Sequence, residues 1–379
     1  MNSENLMTNN KPKPISVIAA VILTALCSVG MPFATNTYVA IGLSAICSVF
    51  LVAVSRRKIS TVAVLLFLIG AFATDAGMMV VAIILSMIVG TGVFARLIEK
   101  TRSHLLWFVP VAGFCVAAVV TKEIPLSFLS LGFALPALAL AITFSKGEGR
   151  TTSICATSAA ILGGVAFVAL VSLYQMTGSL DPKPLYQISL ELRASIAELL
   201  GDFQVQLADG QIVSLLSELD AQNIASTLVS LFPAFLIVSC NAIAFFAQKI
   251  LFMLTFRAGE KEKLTPKVLA LALSPFAGAV FILSFLISTL TANSLDNALV
   301  YTVCQNIFYI FIPGLAISGV MMKLAKISHE RRGAWIILPF LILLFLDIGS
   351  AVLLAAGLGA YYSIANPLAA LLRSDSDEN

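Results

Sequence analysis

Residues 152–175 read TSICATSAAILGGVAFVALVSLYQ, a run with no charged side chain and no strict apolar–polar alternation. As a helix it would be about 36 Å long, enough to cross a hydrocarbon layer of about 30 Å. Lipid offers the backbone no hydrogen-bond partner, so only helices or a closed barrel can cross it. A barrel strand would alternate outward-facing apolar and inward-facing polar residues over about 10 positions, and this run does not. The stretch therefore predicts a membrane-spanning helix.

The same pattern recurs on both sides of it. Spans are predicted at 15–35, 37–54, 59–74, 76–95, 105–121, 125–145, 152–175, 227–256, 267–291, 298–322 and 334–359. The expected fold class is all-α, a polytopic transmembrane helical bundle of about 11 spans, 10 if 59–95 is a single re-entrant hairpin. The only interruption there is Thr74-Asp75-Ala76-Gly77. Composition agrees: 59% of the residues are hydrophobic and 11% charged, against roughly 25% charged in a soluble domain. A mean hydropathy of +0.99 points the same way.

Basic residues mark one face of the membrane. Alternate loops, counted from the N-terminus, hold eighteen of the 23 lysines and arginines, among them Arg56, Arg57 and Lys58, then Arg96, Lys100 and Arg102, then Lys146 and Arg150. By the positive-inside rule these loops and the N-terminus are cytoplasmic and the C-terminal tail lies outside. The implied location is a bacterial cytoplasmic membrane. The small residues Ser16, Ala20, Thr24 and Ser28 recur every fourth position in the first span, a stripe suited to close helix contact in the bundle or with a partner membrane subunit.

One segment departs from the rest. Residues 176–226 carry seven acidic side chains against Lys183 and Arg193. Ile188, Leu192, Ile196, Leu199 and Phe203 fall on one helical face, Asp209-Gly210 breaks the pattern, and Ile212, Leu215, Leu216 and Leu219 begin a second face. An extracytoplasmic amphipathic helical hairpin is expected there. The domain division follows: a tail at 1–14, an N-terminal membrane bundle at 15–175, the acidic segment at 176–226, a C-terminal bundle at 227–359 and a tail at 360–379.

Enzyme signatures are absent: there is no HExxH, GxSxG, P-loop or calcium-loop pattern. With only His104 and His329 and no CxxC pair, no metal, cofactor or catalytic residue is expected. The six cysteines fall in apolar runs, which predicts core packing for them. Basic residues dispersed over six loops give no nucleic-acid surface.

What remains is polarity inside the membrane, where each charge costs at least roughly 2.5–3.5 kcal/mol. Asp347 is expected near the middle of the last span, as an ion-coupling or substrate-binding carboxylate or as a structural group. Lys249 is its natural partner in a salt bridge, or else snorkels to the inner interface. Asn241 and Gln248, seven residues apart on the same span, are aligned with each other. In the span 298–322, Asn306 and Tyr309 share a face one turn before Pro313-Gly314, where a kink is expected. These residues form the candidate substrate or ion site.

The order Leu231-Phe232-Pro233-Ala234, Leu273-Ser274-Pro275, Asn306 with Pro313-Gly314-Leu315, then Asp347 in the last span resembles the YybS-like family of bacterial membrane proteins. The N-terminal half is loosely similar to substrate-binding subunits of energy-coupling-factor vitamin transporters. Their AxxxA docking pattern is replaced here by the small-residue stripe of the first span. The resemblance brings no catalytic residues with it. A transporter-like protein for a small solute, surrounded by membrane lipids, is the leading expectation. A non-transport scaffold whose acidic segment recruits an extracytoplasmic partner is the alternative, and an intramembrane enzyme on lipid-linked substrates comes third.

Overall fold

The computed structural model describes residues 79–101, 124–178, 189–191, 193–198, 221–255, 273–292, 298–329 and 347–377, with the single positions 111, 115 and 119. Among these residues the regular elements are all α-helical. They are α1 (Met79–Thr101), α2 (Ile124–Ser145), α3 (Arg150–Thr177), α4 (Ala221–Ser230), α5 (Phe232–Thr255), α6 (Pro275–Thr291), α7 (Ala298–His329) and α8 (Ile348–Asp377). The expected spans 15–35, 37–54 and 59–74, the interruption at Asp75, almost all of 105–121 and the second amphipathic face at 212–219 lie outside the described residues.

Four stretches among the described residues are long and apolar enough to cross a membrane: Arg150–Gln175, Phe232–Thr255, Ala298–Met321 and Ile348–Asn366. The charge-free run at 152–175 is thus part of one helix, closed by Gly178 at φ 66, whose N–H donates to the Tyr174 carbonyl at 2.8 Å. Two expected spans are redrawn. The span 227–256 is not one helix, because the run breaks at Leu231 between α4 and α5. The last expected span, 334–359, is not one helix either: α8 begins at Ile348 and Asp347 stands just outside it. Within the acidic segment, 193–198 is helical with Arg193 and Glu198 exposed and Ile196 half-buried.

The described residues form two compact units, the first taking α1, α2, α3 and α5 from Ser239 onward. α2 packs on both α1 and α3. The unit's buried core is Phe94 and Leu97 of α1, Leu140 and Ala141 of α2, and Ala247 and Leu251 of α5. The turn joining α2 to α3 needs a glycine: Gly147 sits at φ 70 and its N–H donates to the Phe144 carbonyl. Phe144 and Phe252 meet edge-to-face at 5.6 Å, and the hydroxyls of Thr143 and Ser153 are 2.9 Å apart. The C-terminal ends of α1, α2 and α5 and the start of α3 therefore gather at one end of this unit. Cys155 of α3 is exposed rather than packed in a core.

The second unit takes α4, α5 through Val238, α6, α7 and α8. Phe281 of α6 stacks on Phe308 of α7 at 4.9 Å, over a floor of Leu315, Ala356 and Ala360. α7 and α8 approach until backbone meets backbone. A β-carbon on Gly359 would collide with the Leu315 carbonyl oxygen, and one on Gly319 with that of Ala355. Such small-residue contacts join helices in lipid, where apolar side chains gain little by leaving it for one another. α6 starts at Ser274-Pro275: the serine oxygen accepts from the Ala277 N–H at 3.3 Å, and Pro275 fills a first-turn position that needs no N–H.

Candidate functional site

In the second unit the site centres on the break at Leu231. Pro233, second residue of α5, has no N–H to give, so the ladder cannot run unbroken from α4 into α5. The groups on either side of it take partners outside the ladder. Asn306 of α7 supplies them. Its side-chain oxygen accepts from the Ala234 N–H at 3.0 Å, and its Nδ2 donates to the Ser230 carbonyl at 2.8 Å and to the Thr302 carbonyl at 2.9 Å. Ala234 and Ser230 are four apart, the two ends of an ordinary helix hydrogen bond. The amide of Asn306 is inserted between them.

The neighbours of Asn306 extend the polarity along α7. Gln305 donates from Nε2 to the Tyr301 hydroxyl, and both side chains are half-buried. Tyr309 does not join this group. It stands three residues after Asn306 on the same helix, 41% exposed, and meets Phe308 edge-on. α7 runs as one helix through Pro313, so the kink expected at Pro313-Gly314 does not divide it. The interruption lies in the neighbouring chain segment, and the asparagine of α7 completes it.

Asp347 is the N-cap of α8. Its carboxylate accepts from the Ser350 hydroxyl and from the Gly349 N–H at 2.9 Å, and its carbonyl accepts from the Ala351 N–H. The Ser350 hydrogen bond chiefly, with those of the backbone, holds the carboxyl below the usual carboxylate range. The carboxylate is committed to its own helix start, as a cap is.

The remaining candidates belong to the first unit. Lys249 is exposed on α5, its ammonium 5.7 Å from the Phe245 ring centre. Asn241 is half-buried. Gln248 is 2% exposed and meets Arg150, a residue expected in a solvated loop. Arg150, the first residue of α3, is only 7% exposed. Its Nε donates to Gln248 Oε1 at 3.3 Å, Gln248 Nε2 donates back to the Arg150 carbonyl at 3.4 Å, and its guanidinium lies 4.8 Å from the Phe245 ring centre. Counting basic residues by loop hides such a position, because the count takes every one as solvated. Among the described residues no three His, Cys, Asp or Glu side chains come together to hold a metal ion.

A family model described as predicted membrane protein, DUF2232, matches residues 98–360. The chain belongs to that family. The match takes in the Arg150–Gln248 contact, the break at Leu231, Asn306 and the Asp347 cap, and it makes this a membrane protein, in line with the YybS-like resemblance. No curated protein and no solved structure matches.

Proposed function

We propose that this membrane protein is of transporter type, binding or moving a small solute across the bacterial cytoplasmic membrane without ATP-binding machinery of its own. The observation that carries the reading is the interrupted α4–α5 run, completed by the inserted amide of Asn306. Non-helical backbone at membrane depth is costly, and its usual place is beside a binding site or a path. Gln305 and Tyr301 would give that place its polar lining. The gathering of the basic ends in the first unit supports a cytoplasmic N-terminus by the positive-inside rule.

The scaffold reading has its own support in the glycine contacts of α7 with α8, which suit a unit that does not rearrange. Thermal unfolding of the purified chain with a library of vitamins, ions and lipid precursors separates the two. A ligand at about 100 times its Kd stabilises by about 2.7 kcal/mol. The expected result is a shift in wild type that is lost in Gln305→Leu, a variant that leaves the three Asn306 hydrogen bonds in place. No shift with any compound, and normal cellular function of Gln305→Leu, would overturn the transporter reading in favour of the scaffold.

A further inference from the structure

In a regular helix the Ala234 N–H would donate to the Ser230 carbonyl, four residues back. Here the Asn306 amide serves each of them instead. The rungs next to this one are intact on both sides. Leu231 N–H donates to the Thr227 carbonyl and Phe235 N–H to that of Leu231, both at 3.0 Å. Pro233 leaves a further rung unmade between them, so the ladder is weakest where the amide enters. A side chain inserted into the ladder in this way is a known cause of helix bending.

The two backbone groups that the amide serves are complementary to each other, and an exchange of partners is therefore open to them. When Asn306 withdraws, the Ala234 N–H pairs directly with the Ser230 carbonyl, while Nδ2 keeps the Thr302 carbonyl of its own helix. Only Oδ1 then lacks a donor. Leaving a buried acceptor bare costs roughly 5- to 150-fold in population. Asn306 is half-buried, so the inserted state dominates and the closed rung is a minor state within reach. We infer that the α4–α5 junction is a two-position joint, opened by the inserted Asn306 amide and closed by its withdrawal, with α4 changing direction against α7. A hydrogen-bond donor that reaches Oδ1, a hydroxyl or an ammonium group, favours the closed position because it binds that state and not the other. The joint lies where the transporter reading is centred, but it needs no transported solute.

The test uses the full chain in lipid, with its six native cysteines replaced by alanine and no solute added. Spin labels go on Leu228→Cys of α4 and Leu283→Cys of α6, both exposed. α6 is stacked on α7 through Phe281 and Phe308, so the pair reports α4 against α7. One distance should hold most of the population in the otherwise unaltered chain. Asn306→Leu keeps the bulk and removes the amide, and should move most of the population to a second distance, shifted by about 2 Å or more. Pro233→Ala restores an N–H to the ladder and should populate that same second distance beside the first. A folded Asn306→Leu that keeps the original distance would overturn the joint, because Pro233 alone would then set the junction. Should Asn306→Leu fail to fold, Pro233→Ala decides: the second distance supports the joint, and the original distance alone overturns it. Neither outcome bears on the ligand-dependent melting that tests the transporter reading.

Discussion

In the first unit α3 meets α5 through Arg150 and Gln248 and meets α2 through Thr143 and Ser153, whereas in the second α7 meets α8 where Gly319 and Gly359 carry no side chain. Both are answers to the same difficulty. Lipid tails are as apolar as leucine, so helices in a membrane associate through interhelical hydrogen bonds or through backbones brought close. Polar contacts admit a charged group and hold it in a fixed direction. Bare contacts admit nothing and depend on shape alone.

Crowding the glycine contact should produce the largest effect. Gly359→Leu places a side chain where the Leu315 carbonyl already stands, and a loss of about 3 kcal/mol or more is expected, seen as a lower thermal midpoint. Gly357 faces open space on the same helix, so Gly357→Ala should leave the midpoint unchanged or raise it slightly. If both variants melt with wild type, the backbone contact does not hold α7 to α8.

The polar contact of the first unit should respond less steeply. Gln248→Leu takes away the Arg150 Nε partner and should cost about 1–3 kcal/mol. Combining it with Arg150→Met removes the buried charge as well, and part of the loss should return. A double-mutant cycle measures this directly. Strict additivity would show that the two side chains are neighbours without being coupled.

Asp347 offers the smallest effect and the only one that varies with pH. Its folded value lies below the unfolded value of about 3.9, so its contribution is present above that pH and is lost as pH falls through the folded value. The stability difference between wild type and Asp347→Asn should be constant from neutral pH down to about pH 4 and shrink below it. A difference that changes between about pH 6 and pH 8 would instead reveal a raised carboxyl and revive a proton-carrying role.

The sequence is most legible where side chains have only to be apolar. The charge-free run at 152–175 is a helix because nothing in it competes with one. Hydropathy is blind to a break when the residues at the break are themselves apolar. Ser230-Leu231-Phe232-Pro233 reads as continuous lipid-facing text, and only Pro233 hints that a new helix begins there. Asp347 is missed as a helix start for a related reason: apolar residues precede it, and the cap pattern of an aspartate with a serine three positions on is the better signal. Asn306 and Gln248 stand out because amides in apolar runs are conspicuous. Their partners, a backbone 72 residues away and an arginine 98 residues away, can be found only in three dimensions.

Asn306 also sets an order of events in synthesis. The Ala234 N–H that it satisfies lies 72 residues earlier in the chain. At about 5–20 residues per second, the ribosome takes roughly 4–15 s to cover that distance. Throughout that interval the α4–α5 junction has emerged but its partner has not been made. Until then the Ala234 N–H and the Ser230 carbonyl have each other or water as partners, and the arrival of α7 replaces that pairing with the two hydrogen bonds of the Asn306 amide.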